Sequence, residues 1–311
     1  MTAKGMILQS LIKLYIFNKM IKTIANNLDN RIVNSTDINL LFQNWRGQDE
    51  KVVAVGPHDD DVLIGAGLLL CELRNLGTDV YIAIITDGRK GYCKEEQKQE
   101  IKSTRKKETE LAYASIGINL DNIKRFASYI TFENPIEDQI ETFDFPDSDL
   151  YQHAFKWENE EGKNNGLVAL LLEYFREKRA TRFLLPNEND FHLDHQATFK
   201  AGLYAAIQSS EKIIPDLGKP CSRDTILRYG VWSQFKGNPT HSIQTSQDTL
   251  ERKLSGIFAY KSQEQIEQIT EGIRCGGPFE FFQEHKVEPF PIREYTKLFF
   301  GKNTDGKSKT N

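Results

Sequence analysis

The stretch Lys51-Val52-Val53-Ala54-Val55-Gly56-Pro57-His58-Asp59-Asp60-Asp61-Val62 decides how this chain folds. After Lys51, the run Val52-Val53-Ala54-Val55 is apolar on both sides of the period-2 alternation, the mark of a strand covered on both faces. Gly56-Pro57 ends the strand abruptly. Val62 to Leu76 then follows as an apolar, helix-competent run stopped by Gly77. Val80–Ile85 is a second buried strand, closed by Thr86-Asp87-Gly88. Glu95–Ser115 is a polar helix stopped by Gly117, and Leu120–Ala127 a third strand. This β-α-β-α-β order predicts an α/β fold, a Rossmann-like, mostly parallel sheet with helices on both faces.

Downstream the same alternation resumes. The spacing predicts a helix over 167–178, a strand over 182–185, a helix over 196–208 and a strand over 226–232. Two further helices are expected over 248–259 and 262–273. Residues 131–165, acidic and aromatic with scattered Pro and Gly, read as a long insertion, and the stretches 215–224 and 233–246 as loops. Leu8, Leu11, Ile12, Tyr15, Ile16, Met20, Ile21 and Ile24 recur at helical spacing, so an amphipathic helix is expected within 6–28. It would dock on the main domain or on a second copy in a homo-oligomer. The expected organisation is an N-terminal helical extension over 1–48, one catalytic domain over 49–290, and a C-terminal tail over 291–311, disordered from Gly301.

Of the 311 residues, 40 are Lys or Arg and 44 Asp or Glu, a formal net charge of −4. That balance argues against a nucleic-acid binder, which carries a basic excess. Lys13, Lys19 and Lys22 interrupt the most apolar early segment, so no integral membrane span is expected. The four cysteines form no Cys-x-x-Cys pair, which points to reduced thiols in a cytoplasmic protein.

Two clusters fall where open α/β sheets bind ligands, beyond the carboxyl ends of strands. One is His58-Asp59-Asp60-Asp61. The other is Asp190-Phe191-His192-Leu193-Asp194-His195. Together they hold three of the six histidines and five aspartates. One Asp suffices to cap the helix at Val62, and three in succession repel one another. A divalent cation resolves the repulsion. His58 and Asp61, three apart on a strand-to-helix turn, can converge on one ion, and a histidine of the second cluster would complete a three-ligand zinc site. A carboxylate off the metal could act as general base, and the spare histidine could steady a developing oxyanion.

These residues resemble the PIG-L/LmbE-like deacetylases, the zinc-dependent family of N-acetylglucosaminyl-phosphatidylinositol de-N-acetylase. The family's strand-His-Pro-Asp-Asp-Glu signature reads here His58-Asp59-Asp60-Asp61-Val62, and its His-Pro-Asp-His reads His192-Leu193-Asp194-His195. Thr86-Asp87-Gly88, Arg105-Lys106-Lys107-Glu108 with Ile116-Gly117, and Lys253 followed by Tyr260-Lys261-Ser262-Gln263 match in the same order. The resemblance implies His58, Asp61 and His195 as ligands of Zn²⁺ or another divalent transition metal. It implies Asp60 as general base, His192 as the oxyanion-stabilising or acid histidine, and Asp194 as the residue orienting a neighbouring histidine. Arg105 and Asp190 are implied in substrate binding, although Arg105 could equally pair with Glu108 one turn on. The activity implied is removal of an acetyl group from a small-molecule N-acetylated sugar or glycoconjugate. Three departures alter the surroundings of the site: Asp59 and Leu193 replace prolines, and Val62 replaces a glutamate.

Two other readings stand beside this one. A family member with altered surroundings of the metal could be a binding or regulatory protein. Gly65-x-Gly67 after a strand could instead mark a nucleotide-binding enzyme, although a third spaced glycine is missing. His153 and His241 are expected at the surface and His285 in solvent. Tyr151, Phe155, Trp157 and Trp232 are core residues or a sugar-stacking wall.

Overall fold

The computed structural model describes residues 21, 23–28, 31–88, 91–126, 166–288 and 291–300. Among the described residues nine strands form one sheet, in the order β2 (Arg31–Ser35), β1 (Thr23–Leu28), β8 (His241–Gln244), β9 (Phe279–Glu284), β7 (Thr225–Tyr229), β6 (Arg182–Pro186), β3 (Lys51–Gly56), β4 (Asp79–Ile84), β5 (Ile123–Arg125). The strand read first, β3 (Lys51–Gly56), lies at the centre of a parallel half. It pairs in parallel with β4 (Asp79–Ile84) on one side and with β6 (Arg182–Pro186) on the other. β5 (Ile123–Arg125) extends the sheet beyond β4, and β7 (Thr225–Tyr229) extends it beyond β6.

The alternation of β3 sorts two cores. Val52 and Ala54 face a layer with α1 (Asp61–Asn75), α2 (Ile101–Ser115) and α5 (Gln247–Ile257). Val53 and Val55 face α3 (Leu167–Glu177) and α4 (Leu193–Ser209) on the other side. The path β3-α1-β4-α2-β5 runs outward one way, and α3-β6-α4-β7 runs the other. The order therefore reverses between β3 and β6, the switch point at which doubly wound sheets open a crevice.

The remaining strands are antiparallel and were not expected. Thr23–Leu28, anticipated as the end of the N-terminal helix, is strand β1. It pairs with β2 (Arg31–Ser35) and with β8 (His241–Gln244), which lies in an expected loop. β9 (Phe279–Glu284) joins β8 to β7. His241, expected at the surface, is buried, and its Nε2 lies 2.9 Å from Asn26 Nδ2 of β1. His285 is half-buried, edge-on to Phe199, rather than solvated. The helix expected over 262–273 is α6, shifted to Ile266–Gly276, and α7 (Ile292–Phe300) occupies part of the expected tail. The remainder of the N-terminal helix, the 131–165 insertion with His153, Tyr151, Phe155 and Trp157, and the tail from Gly301 lie outside the described residues.

Gly65 and Gly67 serve packing rather than a phosphate. A Cβ on Gly65 would meet the Tyr229 ring at 2.3 Å, and one on Gly67 would meet Lys253 Cγ at 2.9 Å. That space admits a buried Lys253–Glu280 pair (2.8 Å) to the middle of α1. Lys253 Nζ donates to Ile64 O (2.7 Å), and Glu280 accepts from the amides of Leu68 (2.7 Å) and Leu69 (2.9 Å). The clip ties α1 to α5 and β9. All four cysteines are unpaired, and no helix among the described residues is long and apolar enough to cross a membrane.

Candidate active site

Both clusters sit at the switch point. β3 ends at Gly56, where a Cβ would lie 2.9 Å from both His58 O and Val62 Cγ2, so the chain can turn at once into α1. Val62, where the resembled family has glutamate, is fully buried in the core beneath this turn. Asp61 is the first residue of α1, favourable for a carboxylate at a helix N-terminus, and it accepts from the His58 amide (2.9 Å). The second cluster forms the cap and first turn of α4. This helix begins at Leu193, three residues before its expected start. His192 is the N-cap, its Nδ1 accepting from Asp194 N at 3.3 Å. That bond leaves the ring proton on Nε2.

The structure brings His58, Asp61 and His195 together. Asp61 Oδ2 lies 3.0 Å from His58 Nδ1 and 3.2 Å from His195 Nε2. His58 Nε2 reaches Asp194 Oδ2 at 2.9 Å, and the His192 ring stands edge-on to His58 with centroids 4.8 Å apart. Burial alone disfavours the charged form of His195, yet Asp61 and Asp190 outweigh it and raise its pKa to about 9. His58 is likewise raised by Asp61 and Asp194 against burial, and Asp61 is held well below the carboxylate range by His195 and His58. Burial, the largest influence, pushes Asp60 up, with Arg105 opposing it.

The same residues fit a divalent cation. Ligand atoms of His58, Asp61 and His195 all lie within 4.8 Å of one another, and so do those of His58, His192 and Asp194. His195 is 0% exposed, and its Nε2 meets Asp61 Oδ2 at 3.2 Å in poor hydrogen-bond geometry. Two imidazoles and a carboxylate converging in this way are a donor set that suits a divalent cation. Asp190 Oδ2 lies 3.1 Å from His195 Nδ1, the outer contact that fixes the tautomer and orientation of a metal-binding histidine. This favours the first group. Asp190 was expected on the substrate. It is instead buried behind His195 and also accepts from the amides of His192 (3.0 Å) and Trp232 (3.4 Å).

Arg105 lines the cleft but is only 3% exposed. Its Nη2 lies 3.4 Å from Asp60 Oδ1 and its Nε 3.4 Å from Asp59 Oδ2, over the Tyr260 ring. Its Nη1 has no hydrogen-bond partner among the described residues. Glu108, the alternative partner, accepts from Ser262 N and Oγ, both at 2.7 Å.

Sequence reasoning did not find the partners of Asp59. This carboxylate is fully buried, where the resembled family has proline. It is held by Arg125 of β5 and by Thr109 Oγ1 (2.8 Å), while Tyr113 and Tyr260 hydroxyls donate to its carbonyl (3.2 and 2.7 Å). Gly88, at φ +74°, passes so close that a Cβ would lie 2.7 Å from Asp59 Oδ2. Thr86 Oγ1 fastens the neighbouring loop to Pro57 O (2.9 Å). The available signal was the substitution itself, since a buried aspartate in place of proline demands countercharges.

Above the cluster opens a cleft of about 620 Å³. His58, Asp60, Asp61, His192, Asp194 and Arg105 form its base.

Residues 53–206 match the PIG-L family, described as GlcNAc-PI de-N-acetylase. No curated protein matches the chain. Solved structures with a similar fold include the following three. A conserved protein from Thermus thermophilus is 20% identical, with TM-score 0.53, over 77% of this chain and 97% of the other. The N,N′-diacetylchitobiose deacetylase of Pyrococcus horikoshii is 20% identical, with TM-score 0.55, over 78% and 88%. The 4-carboxy-2-hydroxymuconate hydratase of Pseudomonas putida is 13% identical, with TM-score 0.55, over 78% and 98%. At such identities the likeness is one of fold, and the hydratase shows that this fold serves more than one reaction.

Proposed function

Because the chain belongs to the PIG-L family through residues 53–206, we propose that it is a metal-dependent hydrolase that removes the acetyl group from a GlcNAc-type N-acetylated sugar. The observation that carries this reading is the convergence of His58, Asp61 and buried His195, with ligand atoms within 4.8 Å of one another, beside Asp60 at the base of an open cleft. His58, Asp61 and His195 would hold the ion, with zinc the best match to two imidazoles and a carboxylate. Bound there, such an ion supplies an acidified water and a positive charge beside the substrate carbonyl.

The chain's own groups do the rest. Asp60, raised by burial, accepts the proton of the attacking water as the new C–O bond forms. Arg105 Nη2 holds the Asp60 carboxylate in place, and its Nη1 remains for a substrate oxygen. His192, with its proton on Nε2, donates a hydrogen bond to the developing oxyanion, and Asp60 passes the proton it has taken to the leaving amine as the C–N bond breaks. Acetate and a free amino sugar leave. Asp194 orients His58, and Asp190 orients His195. The four unpaired thiols support a reducing, cytoplasmic setting.

Metal analysis and an acetate-release assay on N-acetylglucosamine test the reading together. The purified protein should carry about one divalent ion per chain, lost in H58A and H195A. D60N should keep the metal but lose on the order of 10²–10⁴ in kcat. A protein that binds no divalent ion, or whose activity survives H58A, would sink it. Metal binding without acetate release would favour a binding or regulatory role.

A further inference from the structure

Two large aromatic side chains stand exposed on the walls of the cleft, although burial is the usual fate of such groups. Phe191 is 71% exposed and Trp232 44% exposed. Phe191 lies between Asp190 and His192, and Trp232 follows β7. Their loops are laced together. Phe191 N donates to Ser233 Oγ (3.1 Å), and Trp232 N donates to the Asp190 carboxylate that backs His195. Asn187 Nδ2 adds bonds to Ser233 O (3.2 Å) and Gln234 O (2.9 Å). Phe191 is therefore held on backbone next to His192, and Trp232 on backbone bonded to Asp190.

The cleft also carries neutral amides. Gln263, Gln265 and Gln268 line it, each able to donate and accept. Arg105, the one Lys or Arg among the described lining residues, is already shared by Asp59 and Asp60, so the described charges are gathered at the floor. The described wall above them is aromatic rings and neutral amides. It suits a ligand with an apolar, weakly electropositive face and a rim of hydroxyls. The C–H face of a pyranose is that ligand, since it complements the negative π face of an aromatic ring.

We propose that Phe191 and Trp232 form a stacking platform for a second, uncharged pyranose ring, so that the site takes an N-acetylated oligosaccharide. The inference rests on the deacetylase reading for the identity of the reacting end. The platform positions the glycan, and the glutamines meet its hydroxyls.

Calorimetric titration of the full-length, chelator-treated protein tests the platform without any turnover. N,N′,N″-triacetylchitotriose should bind saturably. F191A and W232A should each weaken it at least tenfold, while W232F stays within about threefold of the parent. N-acetylglucosamine 1-phosphate should bind at least tenfold more weakly than the trisaccharide. Phe191 is so exposed that its removal does not threaten the fold. Unchanged affinity in both alanine variants, tighter binding of the phosphate, or no measurable trisaccharide binding overturns the proposal. Acetate release from N,N′,N″-triacetylchitotriose by metal-loaded protein is a separate readout. Its absence beside intact trisaccharide binding defeats the deacetylase reading and leaves the platform standing.

Discussion

Asp59 concentrates the electrostatics of the site in one side chain. A carboxylate taken wholly out of water is tolerated only when paired and hydrogen-bonded. Here Arg125, Arg105 and Thr109 all converge on it from α2 and β5. The same residue sits between His58 and Asp60, so its partners also fix the turn that presents both. Asp59→Asn keeps the shape and deletes the charge, leaving the buried Arg105 and the half-buried Arg125 guanidinium groups short of an anion. The expected loss is about 3 kcal/mol, as for other buried pairs broken on one side. Urea denaturation of the parent and D59N measures it, and a loss below about 0.5 kcal/mol would show that the cluster is not what holds the turn. His58, Asp61 and His195 could be picked out from residue type and position alone. The roles of Arg125 and Asp190 could not, because they depend on which strands become neighbours. Arg125 reaches Asp59 from β5, 66 residues on in the chain, because β4 carries β5 to the same sheet end.

At the scale of elements, legibility follows the length of the apolar run. β3, α1, β4 and β6 were readable because buried parallel strands are continuous apolar stretches set between helices. The antiparallel strands are short and mixed: Thr23–Leu28 contains two asparagines, and His241–Gln244 has one apolar residue. Ile24 fits the helical spacing of the segment before it, yet it is a buried strand residue opposite Ile243. The polar residues between them pair with each other, as Asn26 does with His241. Burial drives the His241 pKa down to about 4. Because the folded value lies below the unfolded one near 6.5, the unfolded chain binds more protons between them. Stability is fully present above pH 6.5, declines as the pH falls, and levels off below about 4. By pH 5 the loss should be about 2 kcal/mol. Denaturation midpoints at pH 7 and pH 5 for the parent and H241Q check this. The parent should lose about that much more than the variant, and equal losses would mean that β8 opens before His241 is protonated.

Across the whole molecule, the two ends of the parallel strands carry different duties. The carboxyl ends hold His58, Asp61 and His195, and their buried charges converge on a cleft. The amino ends hold a second buried set that touches no cleft residue. Glu50 precedes β3, and Arg182 begins β6; both are fully buried, with Arg182 Nη2 2.8 Å from Glu50 Oε1. Thr181 Oγ1 donates to Glu50 Oε2 (2.5 Å), and Arg182 Nη1 donates to Thr225 Oγ1 of β7 (2.7 Å). This network fastens β3, β6 and β7 at the end away from the cleft, and so sets the spacing of the switch point at the other. None of its buried polar atoms lacks a hydrogen bond, unlike Arg105 Nη1 at the site. Glu50→Gln keeps the volume but strands the Arg182 guanidinium without its anion. It should cost about 3 kcal/mol in urea denaturation, while kcat/KM for acetate release stays within about twofold of the parent below the unfolding transition. The contrast with D60N, which should lose activity but little stability, separates the two ends. If E50Q instead lowered kcat/KM tenfold at full occupancy of the folded state, the strand spacing set at the amino ends would reach the reacting groups, and the division of labour along the sheet would fail.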